Sequence, residues 1–292
     1  MLTRMMTSLS VALIAAAVNA NESLFHTEPL PAVGFTAGIE GPACDAAGDL
    51  YAVAFEKPEN IGRVTPDGKA ELFVTLPNKS HANGIVFDRA GKMFVADYTN
   101  HNVLKIDPTT KSVSVFAHES KMNQPNDLAI APNGTLYASD PNWRNSIGQV
   151  WKIATDGKVS LLAGEMGTTN GIEVSPDGKT LYVNETVQRN IWKIDLTAAK
   201  SEMKLFKEFS DFGFDGMRCD VDGNLYVTRH GKGTVVKLSS AGEVLQEIDV
   251  LGKSPTNLCF GGPDGCTVYV TEAEKQRIVE FRADRPGLSW QR

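Results

Sequence analysis

The chain has 292 residues, 42% of them hydrophobic and 22% charged, which is the composition of a soluble globular protein with a large core and excludes a disordered one. Its formal net charge is −6, with Lys and Arg scattered along the chain, so no basic stripe is offered to nucleic acid. A small molecule is the expected partner, and nothing singles out a protein partner.

The first elements are an Arg at position 4, an apolar run from Leu9 to Val18, and the small-residue sequence Val18-Asn-Ala20. Together they read as a signal peptide over 1–20, with 21–292 as one domain that is secreted or periplasmic. The apolar run falls short of the roughly 20 residues that a membrane span needs, so no span is expected.

From there one phrase recurs six times: an acidic or amide residue, a small apolar run, a turn, then Leu-Tyr-Val or a near equivalent. The copies are Glu40-Gly-Pro-Ala-Cys, Asn83-Gly-Ile-Val-Phe, Asn126-Asp-Leu-Ala-Ile, Asn170-Gly-Ile-Glu-Val, Asp215-Gly-Met-Arg-Cys and Asn257-Leu-Cys-Phe. Leading positions 40, 83, 126, 170, 215 and 257 are separated by 43, 43, 44, 45 and 42 residues, the period of a four-stranded propeller blade. Alternating or short continuous apolar runs between Gly, Asn, Asp and Pro signals give strands throughout. The fold class is therefore all-β, a six-bladed propeller.

The second copy parses into four strands, A to D from the inside outward: 84–87, 92–96, 102–106 and 112–116. After Phe281 the chain runs out before a sixth D strand, while the segment from Ser23 to about Phe35 has no partner. Pairing the two completes the last blade and closes the ring. Strand alternation then puts every D-to-A and B-to-C connection on one side of the disc, with the leading residues at the mouth of the central channel. The opposite A-to-B turns, such as Pro176-Asp-Gly178, read as ordinary hairpin chemistry.

Convergence on the axis brings Glu40, Asn126, Asn170 and Asp215 together as a cluster of hard oxygens. Two carboxylates about 5 Å apart repel by roughly 3 kcal/mol at an effective dielectric near 20, and a cation removes that cost. Carboxylate and amide oxygens suit calcium or magnesium better than a structural zinc. Asn-Gly and Asp-Gly are also generic turn dipeptides, an alternative that Glu40 does not fit; Asn83 and Asn257 read as channel-lining amides.

No Gly-x-Ser-x-Gly, His-Glu-x-x-His, Gly-x-x-x-x-Gly-Lys or Gly-x-Gly-x-x-Gly motif occurs, so no covalent nucleophile, zinc-protease helix or nucleotide loop presents itself. His81, His101, His118 and His230 fall on or beside mouth-side loops. The B-to-C segment of the third blade, Pro141-Asn-Trp-Arg-Asn-Ser-Ile-Gly148, is expected as a longer loop carrying Trp143 and Arg144 over the channel. Cys44, Cys219, Cys259 and Cys266 lack metal-cluster spacing; Cys259 and Cys266 could pair across a hairpin, or remain buried thiols.

Glu40-Gly-Pro, Pro125-Asn-Asp-Leu, Asn133-Gly-Thr-Leu-Tyr-Ala-Ser-Asp-Pro141, Thr169-Asn-Gly-Ile with Ser175-Pro-Asp-Gly, and Phe214-Asp-Gly-Met217, in that order, resemble the gluconolactonase, senescence marker protein (regucalcin) and luciferin-regenerating enzyme family of six-bladed propellers. The resemblance spans roughly 34–281. It implies that Glu40, Asn170 and Asp215 ligate one divalent ion, calcium first with zinc or manganese as alternatives, and that Asn126 is a ligand or substrate contact. The implied chemistry is hydrolysis of a lactone or related ester, the ion polarising the carbonyl and acidifying water while Asp215 takes the proton. Sugar-lactone members often carry Arg two residues before Asn126, where this chain has Gln124, a shorter and neutral substrate contact. Alternatives are a non-catalytic metal-stabilised propeller, a phosphotriesterase-like enzyme and a strictosidine-synthase-like one, the last suggested by Thr180-Leu-Tyr-Val-Asn-Glu185.

Overall fold

A computed structural model describes residues 23–198 and 202–291; the expected signal peptide lies outside the described residues. Six four-stranded antiparallel sheets form the ring. Blade one is Ala43–Cys44, Leu50–Val53, Asn60–Val64 and Ala70–Thr75. Blade two is Ala82–Phe87, Met93–Asp97, Asn102–Ile106 and Val113–His118. Blade three is Leu128–Ile130, Leu136–Asn142, Ile147–Ile153 and Val159–Met166. Blade four is Thr169–Val174, Thr180–Glu185, Asn190–Asp195 and Met203–Glu208. Blade five is Met217–Cys219, Leu225–Arg229, Thr234–Leu238 and Val244–Asp249.

Blade six takes Pro255–Gly261, Thr267–Glu272 and Arg277–Arg282 from the C-terminal end and its outermost strand, Glu28–Pro29, from the N-terminal end. Glu28 pairs with Glu280 and Pro29 with Val279, which is the expected closure. Each innermost strand also contacts the innermost strand of the next blade, the sixth touching the first.

The period-2 alternation of a strand explains the core. In Met93–Asp97 of blade two, Met93 and Val95 pack toward blade one while Phe94 and Ala96 pack toward blade three. Both faces of a blade are therefore buried, which is why the Leu-Tyr-Val phrase reads as a continuous apolar run. Six apolar clusters result, one in each gap between neighbouring blades. The A-to-B turns are hairpin chemistry as expected: the Gly178 N–H donates to Ser175 O (2.9 Å), with Gly178 at φ +71°.

Two expectations are corrected. Residues 141–148 are mostly ladder, since Pro141 pairs with Gly148 and Asn142 with Ile147, leaving a tight turn over 143–146 and no long overhang. Cys259 and Cys266 do not face one another: Cys259 pairs with Tyr269, and no disulfide joins any two of the four cysteines.

Candidate active site at the channel mouth

Ladder register identifies the equivalent mouth positions. Ile85, Leu128, Ile172, Met217 and Leu258 pair with the last residue of the Leu-Tyr-Val phrase in their blades. Two residues earlier lie Asn83, Asn126, Asn170, Asp215 and Thr256, so the sixth copy is led by Thr256 and not by Asn257. Asn257 is instead level with Asp127; each side-chain oxygen accepts the next residue's N–H, both at 2.9 Å.

The register shifts at this point in blades two, four and six, between Ala82 and Ile85, Thr169 and Ile172, and Pro255 and Leu258. A bulge re-aims a side chain, and in these three blades it falls at Asn83, Asn170 and Thr256; in blades one, three and five the leading residue instead precedes the first paired residue of the innermost strand. The glycines that follow serve close approach rather than turn formation. A Cβ on Gly171 would lie 2.2 Å from Asp215 O, and one on Gly216 would lie 1.9 Å from Asn257 Oδ1. That decides against the turn-dipeptide reading at Asn170 and Asp215.

The structure brings three expected residues, Glu40, Asn170 and Asp215, together, and ladder register sets Asn126 at the equivalent position of blade three. The Asp215 carboxyl is within hydrogen-bonding reach of both Glu40 and Asn170, and Glu40 is within reach of Asn257. Burial, then the charge of Glu40, pushes the Asp215 carboxyl well above the usual carboxylate range. Burial, followed by the charge of Asp127, raises Glu40 to about 7, against the Gly41 N–H, Asn257 and Arg218. Two acids in one desolvated site cannot both ionise without a compensating charge.

Asn126 and Asn170 are 5% and 3% exposed, and the Oδ1 atom of each is buried with no hydrogen-bond donor. Asn170 Nδ2 is occupied by Thr186 Oγ1 (3.1 Å), so its oxygen is the unsatisfied end. A buried acceptor left unpaired is costly, and such oxygens, at mouth positions equivalent to those of two carboxyls, are the donor type that a hard divalent cation prefers. Among the described residues no group of three or more His, Cys, Asp and Glu gathers as a metal centre.

Several positioning residues gave no motif. Asn184 Nδ2 donates to Asp215 O at 2.6 Å. Buried Asp140 accepts the N–H of Asn123 (2.9 Å) and Gln124 (2.5 Å) and is held by Gln149 and Trp151 at 2.8 Å, fixing the connection that carries Asn126. Glu185 and Glu272, also at the ends of second strands, do the same through Gly167 N (2.6 Å) and Ser254 N (2.9 Å). Repeated acids after the Leu-Tyr-Val phrase were the available signal.

Beneath the ring Arg218 spans the channel. Nη1 and Nη2 donate to Asp127 Oδ2 (2.9 Å) and Oδ1 (3.1 Å), and Nε lies 3.9 Å from Glu173. At the rim, Gln124 and Trp143 both reach the Tyr98 hydroxyl, which burial raises in pKa. Arg144 is exposed in the turn. His118 hydrogen-bonds Asn102 (2.8 Å) at the outer edge of blade two, away from the axis.

Known proteins share this fold and sequence pattern. The chain is 28% identical over 288 residues to a gluconolactonase of Zymomonas mobilis, covering 85% of this chain and 79% of that one. It is 28% identical over 295 residues to diisopropyl-fluorophosphatase of Loligo vulgaris, covering 89% and 92%. A calcium-binding protein, regucalcin, from Agrobacterium tumefaciens shares the fold with a TM-score of 0.73 at 22% identity, over 90% of this chain and 95% of that one. The profile of the SMP-30/Gluconolactonase/LRE-like region matches residues 37–274, and the chain belongs to that family.

Proposed function

We propose that the protein is a divalent-cation-dependent hydrolase of a lactone or related ester, with its site at the channel mouth. The observation that carries this reading is the pair of buried, donorless Oδ1 atoms of Asn126 and Asn170, at mouth positions equivalent to those that carry the Glu40 and Asp215 carboxyls. Those four residues would hold the ion, calcium by donor type, with manganese or zinc as alternatives. When bound, such a cation supplies positive charge that polarises an ester carbonyl and makes water a stronger acid.

The remaining work belongs to the chain. Asp215, ionised once its charge is matched, is the acceptor for the proton of the attacking water. Its main chain is pinned by Asn184 (2.6 Å), so the base is presented in a fixed place. The Arg218–Asp127 pair lies across the channel below, so substrate and water approach from the mouth. Gln124, Trp143 and the Tyr98 hydroxyl offer hydrogen bonds and an aromatic face to the ring and hydroxyls of a substrate.

The gluconolactonase and fluorophosphatase relatives support hydrolysis at an acyl or phosphoryl centre, and the Loligo vulgaris enzyme's match over 89% of this chain favours a phosphotriesterase-like activity as the second reading. The test is a panel of lactones and fluorophosphates assayed with calcium, manganese or zinc, before and after chelation. Lactone turnover that disappears on chelation and in Asp215→Ala is expected. Tight ion binding with no turnover of any substrate would reject the reading in favour of a non-catalytic propeller. Export, proposed from Arg4 and the apolar run that follows, is tested by cell fractionation and N-terminal sequencing.

A further inference from the structure

Cys44 ends the innermost strand of blade one and Cys259 lies within that of blade six, and their Sγ atoms are 3.8 Å apart. These strands form the seam where the ring closes. Among the described residues the ladder across the two chain ends is short, Glu28 and Pro29 with Glu280 and Val279, extended by the Phe25 and Leu30 N–H groups donating to Arg282 O and Ile278 O, both at 2.9 Å, and no disulfide joins blade six to blade one. Space for the sulfur is kept by Gly261, where a Cβ would come within 2.4 Å of Cys44 Sγ.

The pair is also reachable. Both cysteines line a cavity of about 290 Å³ that enters the channel from the A-to-B face, with Asp45 and Arg89 in turns at its outer end and Arg218 within. The other two thiols differ: Cys219 is buried in the gap between blades four and five, and Cys266 lies in a hairpin turn beside Asp264.

We propose that Cys44 and Cys259 are an oxidisable dithiol whose disulfide clasps blade six to blade one. The two sulfurs must close from 3.8 Å to about 2.05 Å, a movement within the range of side-chain rotation. The oxidant is a small-molecule or protein disulfide. One cysteine attacks it to form a mixed disulfide and release one thiol; the second displaces the other thiol, and the two cysteine protons end on the two released thiols. The bond would join residues 215 positions apart, so it constrains the unfolded chain around nearly the whole ring. Contact with Cys259, then burial, pushes the Cys44 thiol up, and exchange should quicken as pH rises.

The test uses the full chain incubated with cystamine, quenched with maleimide under denaturing conditions, and read by peptide mapping. Expected are loss of label at Cys44 and Cys259 with retention at Cys219 and Cys266, a cross-linked peptide containing the first two, and a Tm rise of about 5 °C or more. Dithiothreitol should reverse the rise, Cys44→Ser and Cys259→Ala should each lack it, and Cys266→Ser should keep it. A different pairing, no cross-linked peptide, or a cross-link without a reductant-sensitive Tm rise would overturn the proposal. Lactone turnover is not the readout, so the outcome is independent of the hydrolase reading.

Discussion

The carboxyl groups of Glu40 and Asp215 meet at the channel mouth, one leading blade one and the other leading blade five. The charge of Glu40 makes Asp215 harder to ionise, burial and the charge of Asp127 do the same to Glu40, and Asp215 lies beside Asn170, whose amide oxygen lacks a donor. The site is therefore electrostatically incomplete as the chain alone builds it, and several consequences can be measured.

The first concerns pH. Glu40 is raised from 4.5 to about 7, so the folded state binds more protons than the unfolded state between those values. Its contribution to stability is present in full below pH 4.5 and is lost as pH rises through about 7, by on the order of 3 kcal/mol at most. Asp215 acts in the same direction. Chelated protein should thus show a falling Tm across this window in a pH series of thermal melts. Calcium should flatten or reverse that fall, and calcium affinity should weaken as pH drops below 7.

The second concerns the orphaned amides. Asn126→Ala removes an oxygen that has no partner in the metal-free fold, so the Tm of chelated protein should change little. The Tm gain on adding calcium should shrink because affinity falls, by tenfold or more, and stabilisation by a ligand follows its concentration over Kd. Asn170→Ala should behave alike, with about 1 kcal/mol more lost for its bond to Thr186. Unchanged calcium stabilisation in both variants would remove these oxygens from the ligand set.

Much of this was legible in the sequence, for identifiable reasons. The period of the repeat gave the blades, and the unpaired segment before Phe35 gave the closure, because exposed strand edges need partners. Glu40, Asn126, Asn170 and Asp215 were visible because each recurs at one place in the repeat. Asn257 reads as the leader of the sixth copy because Thr256 carries a hydroxyl where the other five copies carry an acid or amide, and the neighbouring Asn supplies the expected type. Asp127, Glu173 and Arg218 were missed because an ion pair across three blades leaves no spacing signature. Trp143 was placed on a long loop because Pro141 reads as a strand breaker, yet it sits opposite Gly148 in the ladder.

Arg218 and Asp127 give a third prediction. Both are buried, with side chains 10% and 1% exposed. Arg218→Ala leaves Asp127 charged and uncompensated, at a cost of about 3–5 kcal/mol in urea unfolding. Adding Asp127→Asn should recover a good part of the loss, since it removes the stranded charge. If the double variant is no more stable than the single, the loss came from packing of the guanidinium stem.

Gly171 supplies a fourth. A methyl group there would meet Asp215 O at 2.2 Å, and that oxygen is fixed by Asn184 and by the Gly171 N–H (3.1 Å). Gly171→Ala must push the Asp215 main chain away, with an overpacking cost of about 1–3 kcal/mol. Calcium stabilisation and turnover should fall together while far-UV circular dichroism stays that of a propeller.

The rim separates binding from chemistry. Gln124 and Trp143 reach Tyr98 but are not among the oxygens at Glu40 and Asp215, so their contacts with a substrate would be the same in the ground and transition states. Gln124→Ala and Trp143→Ala should raise KM several-fold and leave kcat nearly unchanged, the signature of lost uniform binding. Arg144→Ala, in an exposed turn position, should alter neither. Steady-state kinetics on the best lactone of the panel checks all three, and a fall in kcat for Gln124→Ala would move that side chain from the rim into the reacting centre.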